Sequence, residues 1–284
     1  MPLYDKSIQP FYTFLDTLFS IARVVGQAKF CKTRPMTRHH EKCLILGNGP
    51  SLLDTLKKNE ERLCDFDLVA VNFFANSPEY ITYKPNKYVL CDQAFWFDGI
   101  SENDDRFDQL YKTMAKVTQW PLQLYLPYQA KKCCKIKEIL TQNPNIDIIF
   151  YNKTKYEGWG QNFVYHRQWG MPRAQNVLIA ALMLAIHADY AQIYLAGADN
   201  DWMHNIWVDE HNNLRKYDTH FYDINEAKAH AGFMNVPIEN ELCSIYLAFH
   251  GYAQVQKFAM ANKKEIYNTT LLSYIDSFPK KLLQ

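Results

Sequence analysis

Three features of the sequence predict an α/β fold. Short apolar or aromatic runs alternate with longer helical patterns along most of the chain. The first of these runs ends in the glycine-rich turn GNGPS at 47–51, and one later helical stretch, 176–188, is apolar nearly all round. Short strands that alternate with helices form mostly parallel sheets with both faces covered. We therefore predict one Rossmann-like domain at 41–284, preceded by a helical segment at 1–40 and carrying a lid insertion at about 198–236.

Seven runs have the length and the β-branched or aromatic content of strands. They lie at 43–47, 67–72, 87–92, 122–127, 146–152, 191–197 and 264–270. Five other stretches have the length and apolar spacing of helices. They lie at 51–61, 105–116, 129–142, 174–188 and 239–262. The helix at 174–188 has almost no polar face, so we expect it among the most deeply buried elements.

The composition limits the classes of protein to which the chain can belong. With 284 residues, of which 48% are hydrophobic, it can bury a substantial core. A formal net charge of +1 gives no general basic field, so we expect no nucleic-acid partner. Seven cysteines without a CxxC pair are typical of reduced thiols. Because we find neither a transmembrane stretch nor a signal-peptide pattern, we expect a cytoplasmic protein.

The segment before the first strand is amphipathic. Its apolar residues recur every three or four positions, as on one face of a helix: Phe11, Phe14, Leu15, Leu18, Phe19, Ala22 and Val25. A basic cluster follows, formed by Lys29, Lys32, Arg34, Arg38 and Lys42. Two interpretations stay open. The helix packs on its own domain or on a second subunit of a homo-oligomer, or residues 8–42 lie on the anionic inner face of the cytoplasmic membrane.

The turn at 47–51 has the residues of a phosphate-binding loop. Gly47 lets the chain turn sharply out of the strand, and Gly49 lets a ligand approach the main chain without meeting a Cβ. Pro50 and Ser51 suit the first turn of a helix, whose free N–H groups attract a phosphate. The sequence therefore predicts a nucleotide site here. The alternative is an ordinary tight turn between a strand and a helix.

The turn differs from the fingerprint of NAD-binding proteins. That fingerprint requires a small residue where this chain has Leu52, and an acidic residue where the second strand ends in Asn72. An NAD enzyme is therefore disfavoured. Strand ends carry amides and a carboxylate instead, because Asn48 follows the first strand, Asn72 ends the second, and Asp92 and Gln93 end the third.

Three segments together resemble the bacterial sialyltransferases of glycosyltransferase family 42, over about residues 43–202. They are LILGNGPSL, VAVNFF and LIAALMLAIHADYAQIYLAGAD. The resemblance implies a modified GT-A-type, sialyltransferase-like fold. It also implies that these residues contact a CMP-sugar donor: Gly47, Asn48, Gly49, Ser51 and Asn72. The family's GxD motif at a strand end corresponds to Gly197 and Asp199 of this chain. The family segment before the long helix corresponds to MPRAQN at 171–176, which implies that Arg173, Gln175 and Asn176 lie near the donor. The chain departs from the family at Asp92, where a third asparagine is expected.

The implied reaction is transfer of sialic acid, or of a related ulosonic sugar such as Kdo, from its CMP donor to a glycolipid or surface polysaccharide such as lipopolysaccharide or capsule. It requires no cofactor and no metal. An arginine suits the developing charge on the leaving CMP phosphate, and Arg173 is our candidate. The acceptor hydroxyl needs a base.

The polar, aromatic-rich stretch 197–223 resembles an active-site lid and supplies the candidate base. We predict His220, which stands between Tyr217 and Tyr222. The resemblance implies that these two tyrosines hold the donor phosphate. The alternative bases are His204, His211, His230 and His250.

Three alternatives to this mechanism remain. Asp92 is a candidate nucleophile, which would give a retaining reaction in place of inversion. Asp199 and Asp201 have the DxD spacing with which metal-dependent transferases hold a UDP-sugar, in which case EDTA would abolish activity. The third alternative is a nucleotide-binding protein that is not a glycosyltransferase: either a catalytically silent domain or a pterin pyrophosphokinase-like enzyme that uses ATP and Mg²⁺.

Overall fold

The computed structural model describes residues 9–96, 105–133, 136, 140–217, 221, 231–234 and 236–283. Its centre is a seven-stranded sheet in which every pair of neighbours is parallel. The strands are β1 Lys42–Leu46, β2 Phe66–Val71, β3 Lys87–Val89, β4 Leu122–Pro127, β5 Ile146–Tyr151, β6 Gln192–Ala196 and β10 Glu265–Asn268. All seven predicted strands are confirmed, with ends that differ by a few residues. The α/β, Rossmann-like fold class is therefore confirmed.

Helices cover both faces of this sheet. They are α1 Gln9–Gln27, α2 Leu52–Lys58, α3 Glu79–Tyr83, α4 Asp105–Val117, α5 Gln161–His166, α6 Val177–His187 and α7 Ile238–Ala261. Successive side chains of a strand point to opposite faces. In β1, Ile45 accordingly packs into a core with α6 and α7, whereas Leu44 and Leu46 pack into a second core with α2 and α4. The predicted helix at 129–142 begins as a 3-10 turn, Tyr128–Lys132, and much of its remainder lies outside the described residues.

Helix α6 has the burial that its composition predicts. Every residue from Val177 to Ile186 is buried. Asn176 caps its N-terminus by accepting a hydrogen bond from the Leu178 N–H at 2.8 Å. At the other end, burial and the nearby charges of His166 and Lys32 lower the pKa of His187 to about 4. His187 is therefore neutral at pH 7 and packs against the Phe258 ring.

The order of the strands determines where a ligand can enter. The sheet runs β10-β6-β1-β2-β3-β4-β5. The chain builds outward from β1 to β5 and then returns to the other side of β1 with β6, so the direction of winding reverses between β1 and β6. In open α/β sheets, ligands bind outside the carboxyl ends of the strands at this reversal.

The predicted lid at about 198–236 contains a small antiparallel sheet. It consists of β7 Ile206–Val208, β8 Leu214–Tyr217 and β9 Ala231–Met234, with β8 in the middle. Three predicted site residues of the lid, His220, Tyr222 and His230, lie outside the described residues. For Tyr217 the structure describes the backbone, which pairs with Ala231.

Helix α1 packs differently from its apolar pattern. Its buried residues are Thr17, Ser20 and Val24, whereas Phe11 and Phe19 of the predicted apolar face are exposed. Helix α1 therefore packs on its own domain through Thr17, Ser20 and Val24, and Phe11 and Phe19 take no part in that contact. Among the described helices, none is long and apolar enough to cross a membrane.

Candidate functional site

A cleft opens at the carboxyl ends of β1 and β6, where the winding reverses. This switch-point chamber has a volume of about 570 Å³ including its open mouth. Its walls come from the turn after β1, the end of β2, the start of α6 and the loop after β6. The lining residues that carry the following argument are Gly47, Asn48, Gly49, Asn72, Gly197 and Asp199.

The glycines of this chamber let two loops of the protein touch. The Gly47 N–H donates to Ala196 O at 2.8 Å, and the Gly49 N–H donates to Gly197 O at 2.9 Å. A Cβ added to Gly47 would lie 2.5 Å from Gly197 O, and one added to Gly49 would overlap the Asp199 carboxylate. The space that Gly49 leaves by lacking a Cβ is thus next to the Asp199 carboxylate of the same chain. Both glycines are needed for the packing of the β1 turn against the β6 turn.

A protein carboxylate occupies the start of α2, where the sequence predicts a phosphate. Asp199 Oδ2 accepts a hydrogen bond from Ser51 Oγ at 2.9 Å, and the carboxylate also accepts one from the Ser51 N–H. Burial raises the pKa of Asp199 and nearby Asp201 raises it further, while the bonds from Ser51 oppose the rise. A phosphate at the same helix end would meet this carboxylate. The first turn of α2 is thus a poor phosphate site.

Two asparagines of the chamber have buried amide oxygens without a partner in the described part of the chain. Asn48 donates through Nδ2 to Val71 O at 3.2 Å, yet its Oδ1 is buried and accepts no hydrogen bond from any described residue. Asn72 Oδ1 is in the same situation. Asn72 also has a left-handed backbone, with φ of +49°. Unpaired buried acceptors and strained backbone are concentrated at ligand sites, so both oxygens are candidate ligand contacts.

A second, basic chamber adjoins the first and shares Asn72, Asn176 and Val177 with it. Its volume is about 1110 Å³ including its mouth, and three cations line it: Lys153, Lys155 and Arg173. Asn176 and Val177 form the start of α6, so the positive end of this helix dipole adds to the field of the three cations.

The three cations differ in how their charge is compensated. Lys155 Nζ pairs with Glu157 at 2.7 Å. Lys153 Nζ instead donates to Cys91 O at 2.7 Å and lies 5.1 Å from the centre of the Trp96 ring. Arg173 Nε donates to the Gln175 side chain at 3.0 Å. Within the described residues, neither Lys153 nor Arg173 pairs with a carboxylate. The basic chamber therefore has uncompensated positive charge and suits an anionic ligand.

Asp92 lies where the basic chamber meets a third chamber. Its Oδ1 accepts a hydrogen bond from the Ala94 N–H at 2.8 Å, and Gln93 is beside it in the basic chamber. The third chamber also contains an ion pair between Lys216 of β8 and Glu241 of α7, at 2.9 Å. The Asp92 carboxylate is exposed in the cleft, so it is accessible to a ligand.

The structure thus brings together most of the predicted donor residues that it describes. The switch-point chamber is lined by Gly47, Asn48, Gly49, Asn72, Asn176, Gly197 and Asp199. The basic chamber is lined by Asp92, Gln93, Arg173 and Gln175. Ser51 does not line either chamber and instead binds Asp199. Sequence reasoning missed Lys153 and Lys155, although the residues that follow β5 belong to the same sheet edge as the other strand ends.

The described histidines give no clear base at the basic chamber. His204 stands between Trp202 and Asn205, which line the switch-point chamber, and its Nε2 contacts the Tyr274 hydroxyl. His250 lies on α7 and stacks on Tyr246. His211 is exposed in the turn between β7 and β8. His220 stays a prediction.

The structure also gives the surroundings of the DxD pair. Asp199 and Asp201 both line the switch-point chamber. Asp199 is bound to Ser51, as described above. Among the described residues, no three His, Cys, Asp or Glu side chains come together as a metal-binding group.

Comparison with known proteins adds one similarity of fold. No protein family and no curated protein matches this chain. Among solved structures, the chain is similar to the MAf glycosyltransferase from Magnetospirillum magneticum AMB-1, with a TM-score of 0.50 and 9% sequence identity. The similarity covers 94% of this chain and 38% of that one, so this chain spans little more than a third of that protein's length. At such low identity the likeness concerns the fold, and it agrees with the Rossmann-like architecture.

Proposed function

We propose that this protein is a glycosyltransferase that moves sialic acid, or a related ulosonic sugar such as Kdo, from a CMP donor to a hydroxyl of a glycan or glycolipid. The observation that carries the proposal is the pair of unpartnered amide oxygens of Asn48 and Asn72, in a chamber that continues into a basic one. A nucleotide bearing an anionic sugar has the matching arrangement of hydrogen-bond donors and negative charge.

The switch-point chamber suits the nucleoside of the donor. Cytosine carries an amino group and ribose carries hydroxyls, and both kinds of group donate hydrogen bonds. Asn48 Oδ1 and Asn72 Oδ1 would accept them, which removes the energetic penalty of two buried acceptors without partners. The chamber also lies at the sheet position where nucleotides bind in related architectures.

The basic chamber suits the two negative charges of the donor. A CMP-ulosonate has a phosphodiester and a carboxylate on the sugar. Lys153 and Arg173 have no carboxylate partner among the described residues, so they are available to both groups. When the bond between the anomeric carbon and the phosphate oxygen breaks, CMP leaves with an added negative charge. Preorganised cations that stabilise this charge lower the barrier.

The third chamber suits the acceptor. An acceptor hydroxyl that enters there would approach the anomeric carbon beside Asp92, at the junction with the basic chamber. In an inverting reaction, the hydroxyl attacks directly and gives its proton to a base, either His220 of the lid or Asp92. In a retaining reaction, the Asp92 carboxylate would first displace CMP from the anomeric carbon. The acceptor hydroxyl would then displace Asp92 from that carbon and give its proton to a base.

Two further observations bear on the class of donor. The MAf protein, to which the chain is similar in fold, is a glycosyltransferase, and this supports glycosyl transfer in general. A metal-dependent reaction with a UDP-sugar would need the carboxylate of Asp199 as a ligand. That carboxylate already accepts a hydrogen bond from Ser51. This favours a CMP-sugar, whose charge would be stabilised by the cations of the basic chamber, over a metal-bound UDP-sugar.

Nucleotide binding tests the proposal most directly. We expect CMP to raise the melting temperature more than UDP, ATP or NAD do, because a ligand at about 100 times its Kd stabilises the native state by about 2.7 kcal/mol. Transfer should occur from CMP-sialic acid or CMP-Kdo and persist in EDTA. Preferential stabilisation by ATP with Mg²⁺, or transfer from a UDP-sugar that EDTA abolishes, would overturn the proposal.

A variant of the basic chamber tests the assignment of the anionic site. Arg173→Ala should lower kcat by about 10²-fold or more, because it removes charge stabilisation of the leaving CMP. Lys58→Ala, at an exposed lysine near the end of α2, is the matched control and should leave kcat unchanged. Equal kcat values in the two variants would remove Arg173 from the reaction.

A further inference from the structure

Helix α1 is attached to the domain by the side that carries Thr17, Ser20 and the buried Val24. Thr17 Oγ1 accepts a hydrogen bond from the Trp159 N–H at 2.9 Å, and Ser20 Oγ accepts one from the Glu157 N–H at 3.0 Å. Gly158, with φ of +114°, allows this approach, because an added Cβ would overlap Thr17. Two hydroxyls and a glycine thus form the seat of the helix.

The apolar face of the same helix is left in contact with solvent. Residues seven positions apart align along a helix, so Phe11, Leu18 and Val25 form one exposed line. Phe19, with 65% of its surface exposed, lies beside that line. In a helix that packs on its own domain, these side chains would face the core. A contiguous apolar patch of this kind marks a surface that contacts a protein or a membrane.

Two aromatic residues outside the helix enlarge this surface. Trp159 in the loop at 157–159 packs against Phe14 of α1, with ring centres 6.2 Å apart, and is itself more than half exposed. Phe163 of α5 is similarly exposed. Tryptophan and phenylalanine are favoured at the boundary between lipid headgroups and acyl chains.

The charge around the patch is positive. Residues 9–42 contain six Lys or Arg against two Asp or Glu, and of the six cations Arg34 and Arg38 pair with Asp147 and Asp189. Lys29 and Lys32 follow the helix, are exposed, and pair with no carboxylate in the part of the chain that the structure describes. Arg167 lies over the rings of Phe163 and Trp169. This charge is complementary to an anionic lipid surface.

We propose that the exposed apolar face of α1, together with Trp159, Phe163 and the cations at its edge, binds the protein to an anionic membrane surface with α1 lying in the membrane plane. The helix has 19 residues. When it lies in the membrane plane, its apolar face is buried among the lipids and the helix does not cross the bilayer. The proposal does not depend on the reaction that the cleft performs.

The position of the loop at 157–159 connects this surface to the cleft. The loop after β5 carries Lys153 and Lys155 into the basic chamber and then supplies the contacts to α1 at 157–159. Arg23 of α1 also donates to the Lys155 main-chain oxygen at 3.5 Å. Binding at α1 would therefore hold the loop that carries Lys153 and Lys155 beside the membrane surface.

A second copy of the chain is the competing occupant of the patch. An interface between two copies would bring the same basic residues of both chains to one contact, and like charges at a contact oppose association. The membrane is therefore the better match. Measurement of the oligomeric state separates the two.

Flotation of the full chain with lipid vesicles tests the proposal. We expect binding to vesicles of phosphatidylcholine with about 30% phosphatidylglycerol, and at least about tenfold weaker binding to phosphatidylcholine alone. Combined Phe11→Ser, Phe19→Ser and Val25→Ser substitutions should reduce binding at least about tenfold without lowering the melting temperature, since all three side chains are exposed. Leu272→Ser is the matched control, at a leucine that is 90% exposed and lies outside the patch, and should bind like the wild type.

Two further measurements separate the contributions to binding. Lys29→Gln combined with Lys32→Gln should weaken binding to the anionic vesicles and leave binding to phosphatidylcholine unchanged. Brominated lipids should quench tryptophan fluorescence in the wild type and less so in Trp159→Phe. Absence of binding to anionic vesicles, or binding that the triple serine variant retains, would overturn the proposal. A dimer that the triple variant converts to a monomer, without vesicle binding by either form, would assign the patch to a second copy.

Discussion

The two edges of the seven-stranded sheet use the same kinds of polar residue in opposite ways. At the amino edge, Asp67 of β2 and Lys87 of β3 form an ion pair at 2.6 Å that is almost completely buried. Asp67 also accepts hydrogen bonds from the Tyr190 hydroxyl at 2.7 Å, from the Asn86 side chain at 2.9 Å and from the His39 N–H at 2.9 Å. The protein thus surrounds this carboxylate with its own donors.

At the carboxyl edge the polar groups are left open. Asn48 and Asn72 have buried oxygens without partners in the described residues, and Lys153 and Arg173 lack carboxylate partners there. The comparison teaches that residue type does not distinguish a structural polar cluster from a binding site. The compensation of charge does, because Asp67 and Lys87 pair with each other, whereas Lys153 and Arg173 pair with no carboxylate among the described residues. Buried amide oxygens without a partner in the described residues occur at both edges, at Asn86 as well as at Asn48 and Asn72.

The largest effect should come from breaking the amino-edge ion pair. Asp67→Asn leaves Lys87 buried without a counter-charge, which we expect to lower the free energy of unfolding by about 3–5 kcal/mol. Asp147→Asn is the matched control, because Asp147 pairs with Arg34 on the surface and should contribute less than about 1 kcal/mol. Urea denaturation measures both. Equal losses in the two variants would contradict the structural role of the buried pair.

Acid should weaken the amino edge by a smaller amount. Burial by itself would raise the pKa of Asp67, but hydrogen bonds from Lys87, His39, Tyr190 and Asn86 outweigh it and lower that pKa to about 2. Because the pKa is lower in the folded state, the ionised carboxylate stabilises the fold above pH 4. This contribution is lost as the pH falls from about 4 towards 2.

We expect the acid effect of Asp67 to be roughly 2 kcal/mol, because each unit by which the folded state lowers a pKa contributes about 1.4 kcal/mol. Urea denaturation between pH 7 and pH 2.5 measures it, and Asp67→Asn should lack this part of the pH dependence. An identical slope of stability against pH in the variant and the wild type would refute the explanation.

The smallest effect should come from one amide at the carboxyl edge. Asn72→Gly removes the unpartnered oxygen but keeps the left-handed backbone, which glycine adopts easily. We expect CMP affinity to fall about tenfold, the equivalent of one hydrogen bond, while stability changes by less than about 1 kcal/mol.

Lys84→Gly is the matched control for this variant. Lys84 also has a left-handed backbone, with φ of +46°, but it ends α3 and lines neither the switch-point chamber nor the basic chamber. Titration calorimetry should show unchanged CMP affinity for this control. A loss of affinity in both variants would attribute the effect to the backbone and not to the Asn72 side chain.

The sequence by itself determined the elements of the fold. The β-branched runs predicted all seven strands of the parallel sheet, and the uniformly apolar stretch predicted the burial of α6. The asparagines at the ends of β1 and β2 also pointed to the cleft. These predictions succeed because strand and helix periodicity, turn residues and strand ends are local properties of the chain.

Only the tertiary structure decided how these elements use their polar groups. The contact of Asp199 with Ser51, which fills the start of α2, joins residues 148 positions apart. The seat of α1 joins Thr17 to Trp159, 142 positions away, and turns the apolar face outward. The periodicity of α1 identifies that face but not what it contacts. Burial and the saturation of hydrogen bonds depend on residues that are distant in sequence, so no local pattern contains them.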